Sequence, residues 1–314
     1  MRKLLVVLVA LLVLMFAVTG IAEDSKKVVG IVVKTLTGNS FQIDLAKACE
    51  EAAVRYGYDH ITLAPQTLGD NSQQIDIVEG LITRKVDLIV IAASDKTSVS
   101  PVLEKAMQAG IPVVTIDTRI DNPNGYITFI GPDNMQAAYE ATKYICEKMG
   151  GKGNFVFIEG DPTHEVAQLR KEGCMKALEE YPDVKLVASQ AAYWTHEGGL
   201  TVMENALQAN PDIAGVFCAN DDAALGAIEA CKAKGVRPFI AGFDAIALAN
   251  EAIVAGDLDA TVAFFPEVMA DAAMRAGSAY IEYLNDGKLL YLREWIDSSA
   301  TVITPENVAQ MLEN

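Results

Sequence analysis

Short continuous apolar runs alternate with helical patterns along most of this chain, and that alternation restricts the fold more than any other feature. Val28–Val33, Ile61–Leu63, Asp87–Ala92 and Ile111–Ile116 read as strands. Between them, Phe41–Tyr56, Ser72–Arg84 and Thr97–Ala109 carry apolar residues at helical spacing, as in Val99, Val102, Leu103 and Ala106. A strand that is apolar at every position is covered on both faces, and helices on both sides of a parallel sheet give that cover. The pattern then restarts. Strands at Asn154–Ile158, Lys185–Ala188, Gly215–Cys218 and Pro238–Gly242 alternate with helices near 135–148, 165–180, 197–209, 223–234 and 246–255. Two such blocks predict two α/β domains. Gly131-Pro132 is one candidate crossing between them, and Phe264-Phe265-Pro266 is a second. A helix is expected over 267–284, and 294–302 reads as extended.

The first residues are of another kind. Arg2 and Lys3 precede an apolar run from Leu4 to Val18, and Gly20-Ile21-Ala22 offers small residues for cleavage. Charged start, apolar middle and small-residue site read as a secretory signal peptide, 1–22. The apolar run is shorter than the ~20 residues a membrane span needs. No cysteine stands at the cleavage site to take a lipid, so the mature chain is expected to be free in the periplasm. The formal charge of the full sequence, −17, is poorly suited to nucleic acid, whose binding rests on cationic contacts to phosphate. The five cysteines, at 49, 146, 174, 218 and 231, have neither zinc-site nor CxxC spacing. Small buried apolar residues are the simplest reading, with one disulfide as the alternative.

Ligands of open parallel sheets bind beyond the carboxyl ends of the strands. Polar residues recur at those places: Asp117, Asp161, Asn220 with Asp221, and Asp244. Helix N-caps favour the same residue types, which is the competing explanation. Aromatic residues stand near them: Phe41, Trp194 and Phe264. Flat rings pack on the C–H faces of sugars, while carboxylates and amides bond to hydroxyls. The chain has no GxGxxG after its first strand, no GxxxxGK[ST], no GxSxG and no HExxH. Asp117 and Asp244 as an acid and base pair would make an exported sugar hydrolase, a remote alternative.

Several segments carry a resemblance. They are Val33-Lys34-Thr35-Leu36 with Asn39-Ser40-Phe41, and Gly110-Ile111-Pro112-Val113-Val114-Thr115-Ile116-Asp117. Val216-Phe217-Cys218-Ala219-Asn220-Asp221 with Ala224-Leu225-Gly226-Ala227, and Gly242-Phe243-Asp244, complete the set. In this order the chain resembles the periplasmic sugar-binding proteins of ribose-binding type, which serve ABC importers. The resemblance implies an α/β fold of two doubly wound, Rossmann-like parallel-sheet domains. A three-strand hinge joins them, and the ligand cleft lies between. The implied N-terminal domain takes 26–132 plus 265–294, and the C-terminal one 133–264 plus 295–314. By position, Asn39, Phe41 and Asp117 line one wall, and Trp194, Asn220 and Asp244 the other. Gln42 stands where ribose binders have a second aromatic. Thr118 takes the place of an arginine, with Arg119 next to it. A second arginine falls on Gln168, with Arg170 nearby, and an amide is replaced by Phe264. These departures favour a pyranose, a deoxysugar or a polyol over ribose. Lys34 occupies a position where some autoinducer-2 binders of this fold have a lysine, although Val166 and Ala167 do not match them. The expected partners are a small sugar or polyol, an importer permease and, as an alternative, a chemoreceptor or histidine kinase. The same reading expects a monomer that binds a sugar, polyol, nucleoside or autoinducer-2 by hinge closure, without turnover or cofactor.

Overall fold

The structure, a computed structural model, describes residues 26–287, 290 and 292–312. The expected signal peptide lies outside the described residues. The first sheet is wholly parallel. Its strands are β1 (Val28–Val32), β2 (Asp59–Leu63), β3 (Leu88–Ile91), β4 (Val113–Ile116), β5 (Thr128–Gly131) and β11 (Trp295–Asp297), in the order β11-β5-β4-β3-β1-β2. β3 and β4 are buried at every position, as their continuous apolar runs require. The connecting helices are α1 (Ser40–Arg55), α2 (Asn71–Arg84) and α3 (Ser100–Gln108). α3 begins three residues later than the spacing of apolar residues suggests. Pro101 occupies its first turn, where a missing N–H costs nothing.

The second sheet repeats the plan. β6 (Lys152–Glu159), β7 (Asp183–Ala191), β8 (Ile213–Cys218) and β9 (Phe239–Ala241) run parallel in the order β7-β6-β8-β9. β10 (Thr261–Ala263) continues it through parallel bridges, Ala241 to Ala260 and Asp244 to Ala263. Its other edge pairs antiparallel with β12 (Thr301–Ile303). Counted from its own first strand, each sheet runs second, first, third, fourth, fifth. That doubly wound order has its switch point beside the first strand. α4 (Asn134–Lys148), α5 (Glu165–Leu178), α6 (His196–Ala209), α7 (Asp221–Lys234) and α8 (Ala247–Ala255) cover this sheet. The long α9 (Pro266–Asp286) returns to the first sheet and packs on α1.

The chain therefore passes between the sheets three times: after β5, between β10 and α9, and between β11 and β12. Two further features differ from the sequence reading. β5, only four residues long, was not anticipated before Gly131. The extended tail splits, with β11 on the first sheet beside β5 and β12 on the second beside β10. The expected division at 294/295 thus falls too early, because the pairing of Trp295 with Phe129 holds β11 to the first sheet. All five cysteines are buried free thiols, and burial pushes Cys49 and Cys174 up to about 12.

Candidate functional site

Loops leaving the carboxyl ends of both sheets meet in one cleft. Lys34 follows β1, Asp117 follows β4 and Gln42 lies in the first turn of α1. Lys34 Nζ stands 2.7 Å from Asp117 Oδ2, and both side chains are only 5% exposed. Gln42 Nε2 donates to the same carboxylate at 3.1 Å, while its Oε1 accepts from the Lys34 backbone N–H at 3.0 Å. Ammonium, amide and carboxylate thus share one closed network. Asn39 caps α1, its side-chain oxygen accepting from the Gln42 backbone N–H. Phe41, buried, adds an apolar face.

The opposite wall centres on Arg170 of α5. Its Nε donates to Asn134 Oδ1 at 3.0 Å, and Nη1 donates to the Ala219 carbonyl at 2.6 Å. Nη1 also lies 3.4 Å from Asp244 Oδ1. The guanidinium carbon sits 3.8 Å from the centre of the Phe243 ring, with Phe264 and Trp194 at 5.2 and 5.6 Å. A desolvated cation gains from such faces. Burial is the strongest influence on both charged groups. It lowers the pKa of Arg170 and raises that of Asp244 well above the usual carboxylate range, each opposed by the charge of the other. Trp194 lies over Gly160, where any side chain would collide with the indole. Its Nε1 donates to His164 Nδ1 at 2.9 Å.

Asp117, Trp194 and Asp244 all adopt left-handed backbone conformations, with φ of 63°, 67° and 116°. For residues other than glycine this costs roughly 1–3 kcal/mol each and persists where the surroundings over-determine it. Asp244 is held by its bridge to Ala263, and the buried Asp221 side chain braces the loop that follows it. Asp221 Oδ2 accepts from the Ile246 N–H at 3.0 Å, and Oδ1 from Thr261 Oγ1 at 2.7 Å. Burial pushes Asp221 up to about 7.

Seven expected residues line this cleft: Lys34, Asn39, Phe41, Gln42, Asp117, Trp194 and Asp244. Four others do not. Arg119 points outward and pairs with Glu294, because the left-handed turn at Asp117 buries Thr118 and swings the next residue away. Gln168 bonds to the Pro162 carbonyl at the surface. The arginine of this wall is Arg170, two residues further on. Gly173 fixes that register: it lies so close to the Met135 carbonyl on α4 that a Cβ would collide. Asn220 is a supporting residue. Its oxygen caps α7 and its amide donates to the Trp194 carbonyl at 3.0 Å. Phe264 packs behind the wall, with ring centres 4.8 Å from Phe243 and 6.0 Å from Phe41. Arg170, expected only as a neighbour of Gln168, enters the cleft in its place, and His164 enters it without having been singled out. The signal for Arg170 was its offset of three from Gly173, and His164 carried no motif.

Residues 29–285 match the description of a periplasmic binding protein domain. The ribose import binding protein of Bacillus subtilis is 35% identical over 248 residues, 79% of each chain. A solute-binding protein from Actinobacillus succinogenes, solved with bound D-allose, superposes with a TM-score of 0.85 at 32% identity. The match covers 91% of this chain and all of that one. A Bacillus halodurans solute-binding protein with bound myo-inositol gives 0.82 at 27% identity, covering 92% and 98%. With both walls and both sheets in place, the chain belongs to the periplasmic binding protein domain family.

Proposed function

We propose that this protein captures one monosaccharide or cyclic polyol between its lobes in the periplasm and delivers it to the permease of an ABC importer. The proposed lobes are 26–132 with 266–297, and 133–265 with 298–312. The observation that carries the reading is the pairing of each cleft carboxylate with a buried cation on its own wall: Asp117 with Lys34, and Asp244 with Arg170. The charges are balanced before the ligand arrives, so a neutral ligand with many hydroxyls fits. Each hydroxyl can both donate to a carboxylate and accept from a cation. Trp194 and Phe41 supply apolar faces for the ring. The relatives named above carry ribose in their name or were solved with bound D-allose or myo-inositol, which supports the same ligand class. Ligand touching both walls favours the closed arrangement by the difference in contacts, with no chemical step.

A panel of thermal shifts tests this. Residues 23–314 are unfolded and refolded to strip ligand, then heated with pentoses, hexoses, deoxysugars, polyols and autoinducer-2. The last is included because Lys34 does reach the cleft. A ligand at 100 times its Kd contributes about 2.7 kcal/mol, a rise of about 4–5 °C for a chain of this size. A shift from a sugar or polyol is the expected result. No shift from any of them, or turnover of a glycoside, overturns the reading.

A further inference from the structure

His164 belongs to the loop entering α5, is only 4% exposed and lines the cleft. An indole N–H is donor only, so the 2.9 Å bond from Trp194 Nε1 requires an unprotonated, accepting Nδ1 on His164. The ring proton of a neutral imidazole then sits on Nε2. That nitrogen turns toward the other lobe, and a Cβ placed on Gly69 would lie 3.7 Å from it. The two rings are close to parallel, at 16° with centres 6.0 Å apart. Trp194 itself is held in a left-handed backbone conformation, and Asn220 takes its carbonyl. Indole orientation therefore depends on the imidazole on one side and on Asn220 on the other.

We infer that His164 is the positioning residue for Trp194, its Nδ1 fixing the indole plane against which the ligand ring stacks, while its Nε2–H serves as a donor where the two lobes meet. The inference rests on the proposed sugar site. The groups whose charges act on His164 are Lys34, Asp117 and Asp95 from the first lobe and Asp161 from its own loop. Burial first, and the Lys34 charge second, lower its pKa to about 4, which keeps the accepting form at neutral pH.

Three substitutions separate the two roles of the ring. In His164→Asn the side-chain oxygen falls near the Nδ1 position and can accept the indole bond, but nothing replaces Nε2–H. In His164→Gln the amide reaches the Nε2 position and the Nδ1 acceptor is lost. His164→Leu loses both. The first readout is Trp194 emission in ligand-free protein, taken as difference spectra so that Trp295 cancels. Wild type and His164→Asn should coincide, and the other two should differ from them. The wild-type emission should titrate near pH 4, with no such transition in His164→Asn. The second readout is affinity for whichever of D-ribose, D-allose and myo-inositol shifts wild-type melting most. His164→Leu should weaken it about tenfold or more, and His164→Asn should recover to within about threefold of wild type. Unchanged emission and affinity in His164→Leu overturns the inference, as does a His164→Asn variant no better than His164→Leu. If none of the three probes binds wild type, the sugar reading fails, and the ligand-free emission still decides the contact between the two rings.

Discussion

The two walls of the cleft solve one problem, a carboxylate held beside a ligand, in different ways. On the first wall, Asp117 is held by polar groups of loops and a helix start: Lys34 at 2.7 Å and Gln42 at 3.1 Å. On the second, Asp244 faces an arginine that is itself bonded to Asn134 and Ala219 and packed against Phe243. The first cation is a flexible ammonium on a four-carbon stem, and the second is a planar fork locked by packing. The first wall can adjust to a ligand, whereas the second is built into the core of its lobe. On this geometry, similar ion pairs carry unlike shares of binding and of stability.

Replacing each cation tests that contrast. Arg170→Ala should have the largest effect. It strands Asp244 in a buried site and opens a hole beneath three rings, so stability should fall by about 3–5 kcal/mol along with loss of measurable binding. Lys34→Met keeps the stem, and Gln42 still serves Asp117. Its cost should be about 1–3 kcal/mol, seen mainly in affinity by titration calorimetry. Equal drops in melting temperature for the two variants would erase the distinction between the walls.

A smaller effect should come from a contact outside both walls. Asp222 of α7 accepts from the Ser40 N–H at 3.1 Å and from Ser40 Oγ at 2.9 Å, across the mouth of the cleft. These bonds exist only when the lobes are together. Asp222→Ala should lower the population of the closed form and weaken every ligand about three- to tenfold by the same factor. A change in the ratio of affinities between two sugars would instead make Asp222 part of a wall.

The last effect is a pH slope that originates in the second wall. Asp221, under Asp244, is raised by burial from 3.8 to about 7. Between those values the folded chain holds a proton that the unfolded chain has released. The contribution of Asp221 to the unfolding free energy therefore falls as pH rises through that window, and is flat above it. Melting curves at pH 5 and pH 8 should show a larger decline for wild type than for Asp221→Asn. Parallel declines would mean that Asp221 does not titrate there.

Much of this plan is legible in the residues. Continuous apolar strands and amphipathic helices give two parallel sheets, because both features follow from local sequence and burial. Asp117 and Asp244 could be singled out because each ends an apolar strand with a charge. What escaped depends on distant contacts. Gln168 and Arg170 are two residues apart on one helix, and only the close approach of Gly173 to α4 decides which faces the cleft. Arg119 was misplaced because its direction follows from the left-handed turn at Asp117. β5 is too short to show a period, and its strand character comes from β4 and β11 on either side. Asn220 shows both meanings of a polar residue at a strand end, since one side chain caps a helix and holds Trp194 in place.

The three passages between the sheets also govern the order in which the molecule can be completed. Neither lobe is a continuous piece of chain. β1 to β5 emerge early, yet the helix that packs on α1, α9, and the strand that closes the β5 edge, β11, come from the last part of the sequence. Synthesis from the N-terminus therefore leaves one sheet with an uncovered face and an open edge until almost the whole polypeptide exists. Contacts this distant in sequence also slow the search for the native state. The wiring that links the two sheets by three passages thus delays their consolidation, so completion of the first sheet waits on the C-terminal part of the chain.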